Sequence, residues 1–134
     1  MNLCLGKELR MQPISYHVED GAYSVSIDAR PCGPDMSVTI CGGTHPHIGA
    51  VALAIPRSSL KDENVNSASV SVLCVTGHKE DELAREAAKI LASTFCCRVV
   101  VCAGIHIDDA AASNIQRLWD NALSAVHGVI SKKD

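Results

Sequence analysis

Aromatic side chains are almost missing from this chain: one Trp, two Tyr and one Phe in 134 residues. A core of stacked rings is therefore excluded, and Val, Ile, Leu and Ala must fill the interior. Basic runs are missing too, and the formal charge is −3, which argues against a nucleic-acid binder built on a dense phosphate-contacting surface. No window approaches the roughly 18 uninterrupted apolar residues of a membrane span. Met1 to Pro13 does not read as a signal peptide, because its short apolar run is interrupted by Lys7, Glu8 and Arg10; a cytoplasmic location is the expectation. The seven cysteines include no Cys-x-x-Cys pair, so a metal or redox framework of that kind is excluded. They are expected to be buried, reduced thiols acting as small hydrophobes. There is no Gly-x-Ser-x-Gly elbow, no P-loop glycine spacing, no internal repeat and no low-complexity tract.

What is present suffices for one domain over 1–134, with 1–12 loosely held: 47% of the residues are apolar. Pro13 to Glu19 predicts a short strand. Tyr23, Val25, Ile27 and Ala29 alternate with polar residues, as do Met36, Val38 and Ile40, which is the period of a half-exposed strand. Ile48 to Ile55 is apolar throughout and predicts a strand buried on both faces. A polar loop is expected over Arg57 to Asn66, then a further strand over Ala68 to Val75. Short connections between these strands suggest an antiparallel meander. The period then changes. Leu83, Ala87, Ile90 and Leu91 predict a helix over Lys79 to Phe95, with Glu80, Asp81 and Glu82 at the positive end of its dipole. Arg98 to Ala103 predicts a strand, and Ala112 to Val129 a last helix capped by Asp108, Asp109 or Ser113. The fold class is α+β: a mixed, mainly antiparallel sheet whose C-terminal half runs β-α-β-α, with helices on one face and a parallel strand–helix–strand crossover.

Four places offer chemistry. His45-Pro46-His47 puts two imidazoles two residues apart, which in an extended segment turns both toward one ion; the alternative is a solvated turn. His106 and Asp108 repeat that spacing, and imidazole with carboxylate suits manganese or iron; the alternative is a capping aspartate beside an exposed histidine. Thr76-Gly77-His78-Lys79 leads into a helix whose free N–H groups suit phosphate, although three acids follow at once. Arg57 and Lys61 lie just after the central strand, where a guanidinium can fork onto phosphate or simply be solvated. His17 and His127 are isolated and are assigned no function.

Three segments, in this order, resemble one known family: Gly42 to Ala54 (GGTHPHIGAVALA) followed by Pro56-Arg57, Ser71 to Arg85 (SVLCVTGHKEDELAR), and Ala103 to Asp108 (AGIHID). Together they are similar to the LpdD-like proteins, the small D subunits accompanying gallate and hydroxyaryl-acid decarboxylases of the UbiD type. The resemblance spans Ser37 to Val126. It implies a chaperone for reduced prenylated FMN, with plain FMN as a second candidate, that binds the cofactor with the help of a divalent metal (manganese, iron or zinc) and supplies it to the large subunit of a UbiD-type decarboxylase. It also implies a fold similar to proteasome assembly chaperones, a homodimer, and no catalytic activity of its own. Carried onto this chain, His47 and His106 are the first choices for metal ligands, with His45 and Asp108 next. Arg57 and Lys61 would meet the cofactor phosphate, with His78 and Lys79 as alternatives. Two other readings compete: a catalytic or structural subunit of the decarboxylase, and an assembly chaperone that binds only protein. With few aromatics in one small domain, no deep ring pocket is expected, and a site shared across the dimer interface would supply one.

Overall fold

The computed structural model describes residues 11–75 and 80–133; of the stretch 1–12, only Met11 and Gln12 fall within that description. The chain forms strands β1 (Ile14–Val18), β2 (Val25–Cys32), β3 (Asp35–Gly43), β4 (Ala50–Ser58) and β5 (Asn66–Cys74), helix α1 (Asp81–Phe95), strand β6 (Val99–His106) and helix α2 (Ala112–Ser131). One six-stranded sheet carries them in the order β1-β2-β3-β6-β4-β5. All neighbours are antiparallel except β3 and β6. The expected meander is thus split. β2–β3 and β4–β5 are hairpins, but β6 lies between them. Because β5 opposes β4 and β4 opposes β6, β5-α1-β6 is a parallel crossover that skips one strand.

Strand boundaries run further than the hydrophobic pattern suggests. β2 continues through Pro31, whose missing N–H is harmless because β1 ends its pairing at Ala29. Arg57 and Ser58 belong to β4, paired with Ser67 and Asn66, and not to a loop. His106 ends β6, opposite Gly43 of β3.

Both helices cover the same face. α1 packs on β4, β5 and β6, and α2 on β1 and β2. The core between them and the sheet is small-chained. Ala50, Ala52 and Ala54 of β4 are fully buried beneath Ala84, Ala87 and Ala88 of α1. Among the described residues, the other face of the sheet carries no helix. There Leu53 is 46% exposed, Ile55 51% and Leu73 77%, with Val51 opposite Leu73. This overturns the expectation that the central run is buried on both faces: its alanines point to the core and its larger residues point away. The cysteines also depart from expectation. Only Cys97 is buried among the six described, none of which forms a disulfide. Cys41 is half-buried, and burial, followed by the nearby Asp28 carboxylate, pushes its thiol pKa up.

Candidate metal and ligand site

The strand order converges the two histidine motifs. β3 and β6 are parallel neighbours, so their C-terminal ends lie side by side, with Gly43 in register with His106. The chain must then pass from β3 to β4 over the end of β6. Residues 44–49 make that arch, pinned by Thr44 N–H to the His106 carbonyl at 2.8 Å and by Gly49 N–H to the Ala103 carbonyl at 2.9 Å. Two glycines let it sit down. Gly43 has a φ of +78°, and a Cβ there would run into the His106 carbonyl; a Cβ on Gly104 would run into the His47 carbonyl. The C-terminal edge of parallel strands is a general location for ligand sites in sheets.

On this platform His45, His106 and Asp108 come together. One ligand atom from each lies within 4.8 Å of the others, and all three side chains are exposed. The His106 Nε2–H donates to Asp108 Oδ1 at 2.8 Å. His45 Nδ1 lies 3.7 Å from Asp108 Oδ2. Asp108 therefore serves the histidines and does not cap α2, whose N-cap is Ala111; the Ala111 N–H is taken by Asn114 Oδ1 at 2.9 Å. The hydrogen bond from His106, and then the positive field of His45, hold the Asp108 carboxyl below the usual carboxylate range. Two imidazoles and a carboxylate are the donor set of a divalent transition metal. Neighbouring ligands on such an ion stand about 3 Å apart, given bond lengths of about 2.1 Å. The His106–Asp108 pair already meets that spacing, and His45 needs a closer approach.

His47 is placed differently. Its Nδ1 is 3.0 Å from the His45 carbonyl, an acceptor only, and its Nε2 is 2.8 Å from Glu80 Oε1. Both ring nitrogens are thus engaged, and neither presents a lone pair toward the cluster. The arch bends at Thr44 and His45, and the two imidazoles take different partners. His47 instead ties the arch to Glu80, a buried residue immediately before α1. Its ring still lies edge-on to His106, with centroids 6.0 Å apart.

Beside the cluster opens a pocket of about 390 Å³ between the first turn of α1, the end of β6 and the first half of α2. Leu83, Ile105, Ile107, Ala110, Ile115, Leu118 and Trp119 form its apolar wall, and His106, Glu80 and Asp109 its polar members. The pocket is half-open, and aliphatic residues with the single Trp119 ring build it. Nothing local in the sequence marks Glu80 as buried, because it reads as one of three acids at a helix start. Trp119, the chain's single indole, was the available signal for the pocket, although its spacing assigned it only to the apolar face of α2.

Arg57 and Lys61 are not drawn into this site within one protomer. Arg57 lies seven residues along β4 from Ala50, at the opposite end of the sheet, about 23 Å away at strand rise. Its Nε donates to Ser69 Oγ at 2.8 Å and its Nη1 to the Ser58 carbonyl at 2.9 Å. Lys61 is exposed in the β4–β5 turn. His78 and Lys79 lie outside the described residues.

The architecture defines a class: a six-stranded mixed sheet with two helices on one face, matching a chain in the structure titled "Crystal Structure of a Novel Chaperone Complex for Yeast 20S Proteasome Assembly" with a TM-score of 0.54 at 16% identity, over 90% of this chain and 92% of that one. The fold is therefore that of a proteasome assembly chaperone, as expected, and identity this low speaks to fold alone. The family model described as the prenylated flavin chaperone LpdD-like domain matches residues 19–134. The chain belongs to that family, in agreement with the three sequence segments. No curated protein matches it significantly. Among the described residues, no helix is long and apolar enough to cross a membrane.

Proposed function

We propose that this protein is a metal-assisted carrier of reduced prenylated FMN that supplies the cofactor to a UbiD-type decarboxylase and performs no catalysis itself. The observation that carries the reading is the His45–His106–Asp108 cluster at the rim of an apolar pocket, in a chain of the prenylated flavin chaperone family. The donor set fits a divalent manganese, iron or zinc ion. Its positive charge, bound there, would attract the cofactor phosphate, so binding is strong yet reversible. His47 acts beside the ligands as the residue that fixes the arch. Arg57 and Lys61, remote in one protomer, meet a phosphate only if a second copy brings them near.

A homodimer is part of the proposal. Leu53, Ile55 and Leu73 expose larger apolar side chains on the open sheet face than the alanines β4 gives its own core, which is the pattern of a surface covered by a partner. A second copy of this chain is the occupant we assign.

The test is an anaerobic titration of the protein with reduced prenylated FMN, with and without Mn²⁺, in wild type and His106→Ala. Binding that requires both the metal and His106 supports the carrier. Absence of binding under every condition overturns it. For delivery, an apo-decarboxylase incubated with the loaded protein and then separated from it should stay active; activity only while the two remain together would make this chain a subunit.

A further inference from the structure

The pocket and the metal cluster share one residue, His106. A single ligand can therefore touch both, and the polarity of the two places decides its orientation. The pocket wall is aliphatic, with Leu83 and Leu118 almost fully buried behind it. The carboxylates on its lining, Glu80 and Asp109, repel an anion. A phosphate is thereby kept out of the pocket and left at the histidine cluster. An uncharged, largely apolar body is admitted. The volume, about 390 Å³, lies in the range of about 300–1,000 Å³ that encloses small ligands. Ile115 stands on the pocket lining with 56% of its surface open to solvent, an apolar cost that a bound hydrophobic body would relieve.

Resting on the carrier reading above, we propose that this pocket holds the ring system of the prenylated flavin, inserted with the hydrocarbon ring that prenylation adds packed among Ile105, Ile107 and Ile115, which present the open apolar surface of the wall. The phosphate stays outside at His45, His106 and Asp108. Selection for the prenylated over the unmodified flavin then arises here, because the added carbons bury apolar surface that plain FMN does not have. The metal cluster, which meets only the phosphate, does not discriminate.

Trp119 reports on the pocket directly, being the only tryptophan in the chain and part of its lining. The full-length protein with Mn²⁺ is titrated anaerobically with reduced prenylated FMN and with reduced FMN. Bound flavin is measured by ultrafiltration, Trp119 emission by fluorescence, and Mn²⁺ affinity by paramagnetic resonance. We expect Trp119 to be quenched in step with binding and reduced FMN to bind at least about tenfold more weakly than the prenylated form. We expect Ile115→Glu, a change at an exposed position, and Ala110→Leu, which fills the pocket, each to weaken prenylated FMN at least about tenfold while leaving Mn²⁺ affinity unchanged. Tight binding to wild type with Trp119 emission unmoved, or equal affinity for the two flavins, overturns the pocket assignment and leaves the carrier reading intact. Failure of prenylated FMN to bind wild type overturns both. The wild-type fluorescence arm decides the matter even if a variant fails to fold.

Discussion

At the scale of single residues, the cluster depends on groups whose protonation the fold has already biased. Asp108 is held in its ionised form by His106 and His45, so it remains a carboxylate as the solution turns mildly acidic. Metal affinity should nonetheless fall with falling pH, because imidazoles must be neutral to ligate, and the loss belongs to the histidines. Mn²⁺ titrations followed by paramagnetic resonance should show this fall in wild type, and Asp108→Asn should weaken Mn²⁺ by at least about 100-fold at neutral pH, beyond the range seen when only an outer partner of a ligand is removed. A second carboxylate does structural work. Asp20 accepts both Arg117 Nη2–H and Arg117 Nε–H, and also Asn121 Nδ2–H at 2.9 Å, while Arg117 stacks over the Tyr23 ring at 4.2 Å. Those hydrogen bonds, Arg117 first, lower the Asp20 pKa from its ordinary 3.8. The folded pKa is depressed, so this stabilisation is present above 3.8 and is lost as pH falls through the folded value. Thermal melts of Asp20→Asn should accordingly lie below wild type at pH 7, and the difference should close in strong acid.

At the scale of elements, the site is a product of how the β3–β4 arch crosses β6. Gly104→Ala should leave the secondary structure in place, since the residue sits near a strand end, yet lift the arch from its seat because its Cβ meets the His47 carbonyl. Circular dichroism should be near wild type while Mn²⁺ affinity drops at least about tenfold. His47→Ala should act through the same element: it leaves the Glu80 carboxylate buried without its imidazole, a loss on the order of 3 kcal/mol in a chemical melt. The histidine motifs were legible in the sequence because their residue types and spacing are unusual. Their assembly was not, because it depends on β6 entering between β3 and β4, and no local pattern encodes the order of strands. The orientation of β4 was hidden for a different reason. A run in which every position is apolar shows no alternation by hydropathy; the alternation here is one of size, alanine against valine, leucine and isoleucine. Helix α1 was legible because Leu83, Ala87 and Leu91 recur at its period, and those residues are buried against the sheet.

At the scale of the whole molecule, the sheet face that no described helix covers and the split sheet each make a demand. If a second copy covers Leu53 and Leu73, then Leu53→Glu should convert the dimer to monomers in light scattering; an unchanged mass would assign that face to another partner. The split sheet concerns how the chain comes to be folded at all. β6 is the last strand in the sequence but sits inside the sheet, hydrogen-bonded to β3 on one side and β4 on the other. Until residues 99–106 have left the ribosome, the two hairpins share no hydrogen-bonded seam, and His45 waits for partners more than sixty residues downstream. Closure of the sheet is therefore a long-range event, of the kind that slows folding. Softening substitutions in the middle of β6, such as Val101→Ala, should slow refolding more than they speed unfolding. Under the proposed assignment, a growing chain would acquire the site only in the step that completes its sheet, so an unfinished copy would not capture a reactive flavin that it has no means to shelter.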